Sequence, residues 1–286
     1  MTITPPFPAF SRSIRNNRRQ QTLWGISLCT LFLLAVIFST WVIGDSGLGP
    51  VLAQRNQSPS LAHPFGTDWL GRDMLSRSLH GMSLSLRIGL LAAAISALIG
   101  TGLGLAAGTL GGWVDAVITW IIDVFFSLPH LVLLILIAFA MGGGTTGVIV
   151  AVALTHWTSL ARVIRAEVLQ VNSADYVKIS HRFGRSPLWI ARHHMVPHIV
   201  PQLIVGLILL FPHAILHEAA LSFIGIGLSP HIPAIGIILA ESMRHLSTGY
   251  WWLGVMPGLL LLLSVKAFDW LGENLHALLD PKTSQG

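Results

Sequence analysis

The chain is short of charge. Of its 286 residues, 10% are Asp, Glu, Lys or Arg, against about 25% in an average soluble domain. So few charges cannot cover a water-facing surface, which excludes an ordinary soluble globular protein. A hydrophobic share of 53% excludes intrinsic disorder, because disordered segments are poor in apolar residues. Cysteine is confined to Cys29, so neither an internal disulfide nor a thiolate metal cluster can form within one chain. None of the three lysines, Lys178, Lys266 and Lys282, follows a glycine. The phosphate-cradling Gly-x-x-x-x-Gly-Lys-[Ser/Thr] loop is therefore missing, and ATP hydrolysis by that route with it. His217-Glu218 continues as Ala219-Ala220-Leu221, which is not the His-Glu-x-x-His of a zinc protease. No Ser/His/Asp or paired-carboxylate constellation stands out either, so an enzyme is not expected.

What remains is apolar sequence in long runs. A hydrocarbon core about 30 Å thick needs about 20 apolar helical residues. Six stretches qualify: Leu23–Ile43, about Leu84–Leu110, Ala116–Met141, Thr146–Ala161, Ile199–Ile224 and Trp251–Leu271. The first is too long for a signal-peptide core and lacks a small-residue cleavage site, so it reads as a retained helix. The expectation is an all-α membrane protein with about six transmembrane helices. A tail over 1–22 precedes the first helix at 23–43, and a loop covers 44–83. A membrane core runs over 84–275, and a tail over 276–286. Arg12, Arg15, Arg18, Arg19 and Lys282 in the tails fall on the same side as six basic residues between Arg162 and Arg192. The positive-inside rule then puts both termini in the cytoplasm and the 44–83 loop outside. The formal charge of +5 is accounted for by topology, and nucleic acid is not needed to explain it.

Gly100, Gly104, Gly108 and Gly112 recur every fourth residue, lining one helix face with hydrogen so that a neighbouring backbone can approach. Tight packing within a bundle and a smooth sliding surface between subunits are both compatible with that pattern. The polar segment at about 162–198 repeats Tyr176, Val177, Ile179, Phe183, Leu188, Trp189 and Ile190 at helical spacing, interrupted by Gly184 and Pro187. Two short amphipathic helices with a bend are expected there, with an apolar face to be covered by lipid or by a partner protein. The Ile235–Ala240 run, between glycines and prolines, is a candidate re-entrant segment. Lys266 and Asp269, three apart, suggest an ion pair.

Ser173-Ala174-Asp175-Tyr176-Val177, then Gly184, then His194-Met195-Val196-Pro197 resemble the "EAA" loop of bacterial ABC importer permeases. His63-Pro64-Phe65-Gly66-Thr67-Asp68, Gly71-Arg72-Asp73, Phe126-Ser127-Leu128-Pro129, Ala219-Ala220-Leu221-Ser222-Phe223-Ile224-Gly225 and Leu279-Asp280-Pro281 extend the likeness. It is to the second permease subunit of the dipeptide, oligopeptide and nickel importers. Ile179-Ser180 and His181 stand where that family usually has paired alanines and an arginine. The resemblance implies a type I importer permease fold, a homologous second permease, two ATPase subunits and an extracytoplasmic binding protein. Ala174, Asp175, Tyr176, Val177, Gly184 and Pro197 would belong to the ATPase-coupling loop. ATP and Mg would be held by the ATPases, with no cofactor on this chain.

Thirteen histidines are present, and most fall in loops or at helix boundaries. His130 and His156 lie near helix ends, while His213 and His217 share the fifth helix with Glu218. An i,i+4 pair of imidazoles shares a helix face and suits nickel, copper or zinc. Hydrogen bonding to a backbone carbonyl or a neighbouring helix explains the pair equally well without a metal. The nickel-importer subunit is similar, with its own His-x-x-x-His before the Ser-Phe segment, and Thr155-His156-Trp157 also looks like that branch. The resemblance therefore implies nickel, free or in a small chelate, as cargo. His213, His217, Glu218 and His156 would lie along the path, and His213 and His217 would act as transient ligands. A short peptide is the alternative cargo, and a secondary transporter is the more remote class.

Overall fold

The computed structural model describes the backbone of residues 11–279; the side chains of 11–19, 21, 22 and 277–279 fall outside the description. The side chains of Arg12, Arg15, Arg18 and Arg19 are therefore outside it, although their backbone is helical from Ser11, ahead of the expected start at 23; Lys282, Asp280 and Pro281 lie wholly outside. Among the described residues the elements are helices, with one isolated bridge between Thr67 and Asp73. In chain order they are α1 Ser11–Ile43, α2 Met74–Leu110, α3 Gly112–Ser127, α4 His130–Ala140 and α5 Gly144–Asn172. There follow α6 Asp175–Arg182, α7 Pro187–Ile190, α8 Val196–Ile224, α9 Ile235–Met243 and α10 Trp252–Leu279. Lipid offers no partner for backbone N–H and C=O groups, so an apolar chain must satisfy them within helices. Five helical stretches are long and apolar enough to cross a bilayer, or six if α3 and α4 are one bent span.

Several boundaries differ from the hydropathy reading, each for a local reason. The second helix starts at Met74 rather than near Leu84, because Asp73 caps it, its carboxylate accepting from the Ser76 amide at 2.8 Å. Ser76, Arg77, Ser78 and His80 hide that first part from a hydropathy scan. The stretch 116–141 is two helices bent by 100°. Pro129 has no N–H to continue the ladder, and Leu128 before it is extended at φ −94°, ψ 143°. The fourth stretch continues past Ala161 to Asn172, so Arg162 and Arg165 are helical. The six basic residues are thus split between the end of α5 and the segment after it.

The glycine stripe packs within the chain. A Cβ at Gly100 would sit 2.6 Å from the Trp157 carbonyl, at Gly104 2.6 Å from the Ala161 carbonyl, and at Gly108 2.6 Å from Val168 Cγ1. These pairings rise together along both helices, so α2 and α5 run parallel in close contact. Gly112 is not part of the seam. It opens α3 at φ +53° with nothing within 4 Å of a Cβ, and the face it was expected to extend ends with α2 at Leu110.

At the N-terminal end of α2 the 44–73 segment closes over the bundle. Asp68 is fully buried and accepts from the Leu70 and Arg72 amides at 2.9 Å, from Arg72 Nε at 2.7 Å and from Arg77 Nη1 at 2.8 Å. Arg77, also buried, donates its other nitrogen to Glu241 of α9 at 2.8 Å. This clasp ties the loop, α2 and α9 together. The 235–240 run is a short helix buried on α8, where a Cβ at Gly236 would collide with the Ala219 carbonyl. On α10, Lys266 and Asp269 form the expected i,i+3 pair at 3.7 Å.

Gly100→Ala and Gly104→Ala overpack a backbone seam and should lower stability by about 1–3 kcal/mol. Gly102→Ala, which has open space around its Cβ, should be neutral or stabilising by roughly 0.5–1 kcal/mol. Thermal unfolding in detergent of the three variants gives the comparison, and equal loss at all three positions contradicts the seam. Asp68→Ala removes one of the two carboxylates that pair the buried Arg77, leaving Glu241 alone with it, and should destabilise by about 1–3 kcal/mol, read as a lowered midpoint in the same assay.

Candidate functional site

Three histidines from three helices converge inside the bundle. His130 is the first residue of α4, turned inward by the Pro129 break. His156 lies midway along α5, next to Trp157 at the glycine seam, and His217 lies in the second half of α8. Their ring centroids form a near-equilateral triangle of 4.8, 4.9 and 5.0 Å. One ring nitrogen of each lies within 4.8 Å of the others. His156 is buried and the other two are partly buried.

The hydrogen bonds set the rings up unequally. His156 Nδ1 lies 3.0 Å from the Val152 carbonyl. A carbonyl can only accept, so Nδ1 carries the proton and Nε2 keeps its lone pair. His130 Nε2 is buried without a hydrogen-bond partner. Among the described residues, neither nitrogen of His217 has one. An unsatisfied buried polar atom costs about 1–3 kcal/mol, so packing alone gives no reason to gather three imidazoles here.

The pairing expected from spacing is not the one the fold makes. His217 turns toward His130 and His156. His213 is exposed and donates Nδ1–H to the carbonyl of Leu209 on its own helix at 3.1 Å. Four residues turn a helix by about 400°, so the two imidazoles are offset, one at the helix junction and one overhanging it. Glu218 is fully buried on another face, where the Ser222 hydroxyl donates to it at 2.9 Å. It does not join the histidines. His130 was noted in the sequence only as a residue near a helix end. The signal that could have promoted it is the adjacent Pro129, which breaks the span and redirects the chain.

The segment after α5 is built as two short helices and a bend. Ala174 precedes α6, Asp175 opens it and pairs with Lys178 at 3.2 Å, and Gly184 makes the turn at φ +69°. A π-helical turn over Ala191–Met195 leads into α8, with Pro197 in its first turn. Val177, Ile190 and Met195 are fully buried with Leu160, Ile164 and Val168 of α5, which anchors the segment to the bundle. Tyr176 and Ile179 stay 52% exposed, Phe183 80% and Leu188 79%, leaving an unpartnered apolar face. Beside it Arg165 holds Asp115 in a two-point ion pair and Arg162 meets Asp123 at 3.1 Å. These contacts pin α3 to the end of α5, and sequence spacing did not reveal them.

Two surface clefts lie away from the triad. One of about 300 Å³ is lined by Trp41, His80, Arg87 and Pro233, and one of about 600 Å³ opens between α1 and α10.

The family model described as the binding-protein-dependent transport system inner membrane component matches residues 100–284. The dipeptide transport system permease protein DppC of Bacillus subtilis is 36% identical over 262 residues, covering 90% of this chain and 82% of that protein. The probable D,D-dipeptide transport system permease protein DdpC of Escherichia coli is also 36% identical, covering 91% and 87%. The glutathione transport system permease protein GsiD of Pectobacterium atrosepticum is 34% identical, covering 92% and 88%. A crystal structure of an amino acid ABC transporter with histidines shares the fold at a TM-score of 0.53 and 19% identity, over 70% of this chain and 92% of that one. With five or six apolar spans, a family match over residues 100–284 and relatives 36% identical over nearly its whole length, the chain belongs to the inner-membrane components of binding-protein-dependent transport systems, as a multi-pass ABC importer permease.

Proposed function

We propose that the chain forms one membrane half of an ATP-driven importer. It pairs with a homologous second permease. One ATPase seats on its α6–α7 segment and a second on the partner's counterpart. ATP and Mg are bound by those ATPases. An extracytoplasmic binding protein delivers cargo at the end closed by the 44–73 segment, and the basic end with both termini faces the cytoplasm. The observation that carries this reading is the exposed apolar face of Tyr176, Ile179, Phe183 and Leu188. Such a face on a rigidly anchored, polar segment needs a protein surface to cover it.

Short peptides are the cargo class that the relatives' names support, since dipeptide and glutathione permeases cover nearly the whole chain. One observation favours a second reading with transition-metal cargo, nickel first. It is the convergence of His130, His156 and His217. Uptake of a labelled dipeptide and of nickel-63 by the complete transporter in proteoliposomes separates the two readings. ATP-dependent dipeptide uptake is expected, and nickel uptake without any peptide uptake would replace the first reading with the second.

The coupling role predicts graded effects. Proline fixes φ near −65°, opposite to the +69° of Gly184, so Gly184→Pro should abolish cargo-stimulated ATP hydrolysis. Gly184→Ala, strained by about 1–2 kcal/mol, should reduce it less. Phe183→Asp should weaken ATPase retention by roughly 30-fold, the effect of losing one hot-spot contact of about 2 kcal/mol. Full coupled hydrolysis in Gly184→Pro would remove the bend from the mechanism.

A further inference from the structure

We infer that His130, His156 and His217 form a three-imidazole seat for a divalent transition-metal ion, whose remaining coordination positions are filled by donors that the cargo brings. The inference deepens the metal-cargo reading above and adds to it a defined ligand set, which excludes His213. Three features of the site support it independently of any relative.

The geometry is within reach of coordination. Metal–imidazole bonds of about 2.0–2.1 Å place tetrahedral nitrogens about 3.4 Å apart. The ring nitrogens, within 4.8 Å of one another, need to close by little more than 1 Å, which side-chain rotation at three rings supplies. The tilts of 79°, 58° and 63° between ring planes exclude parallel stacking and let ring edges face a common centre.

The proton arrangement also fits. A metal-binding histidine usually donates its other ring N–H to a carbonyl or carboxylate, which fixes the tautomer and the ring orientation. His156 does this through Nδ1–H to Val152, leaving Nε2 as a ligand. His130 Nε2 is buried with no partner, a state that a metal bond relieves. His213 bonds the Leu209 carbonyl through Nδ1 in the same way, but it is exposed and is not among the three histidines whose ring nitrogens lie within 4.8 Å of one another.

The charge of the site defines its class of ligand. Imidazoles suit nickel, copper and zinc, and no thiolate competes, since Cys29 lies in α1 and lines the α1–α10 cleft. The three ligands are neutral, and Glu218 is turned away and bonded to Ser222. A bare dication here would keep its full charge in a low-dielectric interior, which is costly. An ion that arrives with an anionic donor, such as the carboxylate of a small chelator, has its charge offset and fills the open positions. Three neutral ligands without a closed cage also allow release, which conduction requires.

The test uses the complete transporter, purified without a polyhistidine tag in lipid nanodiscs and titrated with Co(II). Wild type is expected to develop the intense visible absorption of four- or five-coordinate cobalt, displaced by Ni(II) or Zn(II). His130→Ala, His156→Ala and His217→Ala should each weaken binding at least ten-fold, and His213→Ala should leave it unchanged. His217→Gln, which keeps a polar tip of similar length, covers the case in which an alanine variant fails to assemble, and it should lose the absorption too. Absence of the band in wild type, its survival in His156→Ala, or its loss in His213→Ala overturns the inference. Nickel-63 uptake in the same preparations is scored separately. Binding without uptake leaves the seat standing and removes the metal-cargo reading, whereas uptake without the band removes the seat alone.

Discussion

At three positions where α2 meets α5 there is no room for a side chain on α2. Gly100, Gly104 and Gly108 bring that helix against the carbonyls and side chains of α5 from Trp157 to Val168. In lipid, apolar surface gains little by leaving a solvent that is itself apolar, so helix association rests on close packing. Glycines every fourth residue provide it by removing the atoms that would hold the backbones apart. The level of α5 relative to the bundle follows from this seam. His156, one residue before Trp157, is carried inward with it, and the far end of α5 is delivered to the α6–α7 segment.

The two ends of the bundle are stabilised by different means. At one end, the Asp68 carboxylate organises two guanidiniums and two backbone amides, and Arg77 passes the connection to Glu241. Buried charges of this kind are tolerable only when each is paired and hydrogen-bonded, and here the pairing joins three segments distant in sequence. At the other end the anchor is apolar, with Val177, Ile190 and Met195 held against α5. One side of α6 and α7 is thus fixed while the other remains open to a partner. That division suits the coupling role proposed for this segment, fixed toward the bundle and open toward a partner.

Relatives named for peptides and a cluster of imidazoles are compatible in one molecule. Peptides and small chelators present the same donors, carboxylates and amines, and a metal carried by such a molecule still looks like a peptide-sized solute to the rest of the path. In the metal-cargo reading proposed above, the triad would add imidazole nitrogens to the donors the cargo brings.

Much of this was legible in the order of residues. Low charge and long apolar runs specified a membrane protein, because lipid and water sort side chains without regard to tertiary detail. The amphipathic recurrence from Tyr176 to Ile190 and the Gly184 bend specified the two short helices α6 and α7, since periodicity within one helix is a local property. The His213–His217 pair was read from the same kind of periodicity, and of the two only His217 joins the cluster with His130 and His156. Spacing relates residues on a single helix and says nothing of which neighbour each will face. The convergence of His130, His156 and His217 depends on a proline that turns α4 and a glycine seam that sets α5. Their orientation toward one point is a property of three helices at once, which only the packed bundle decides.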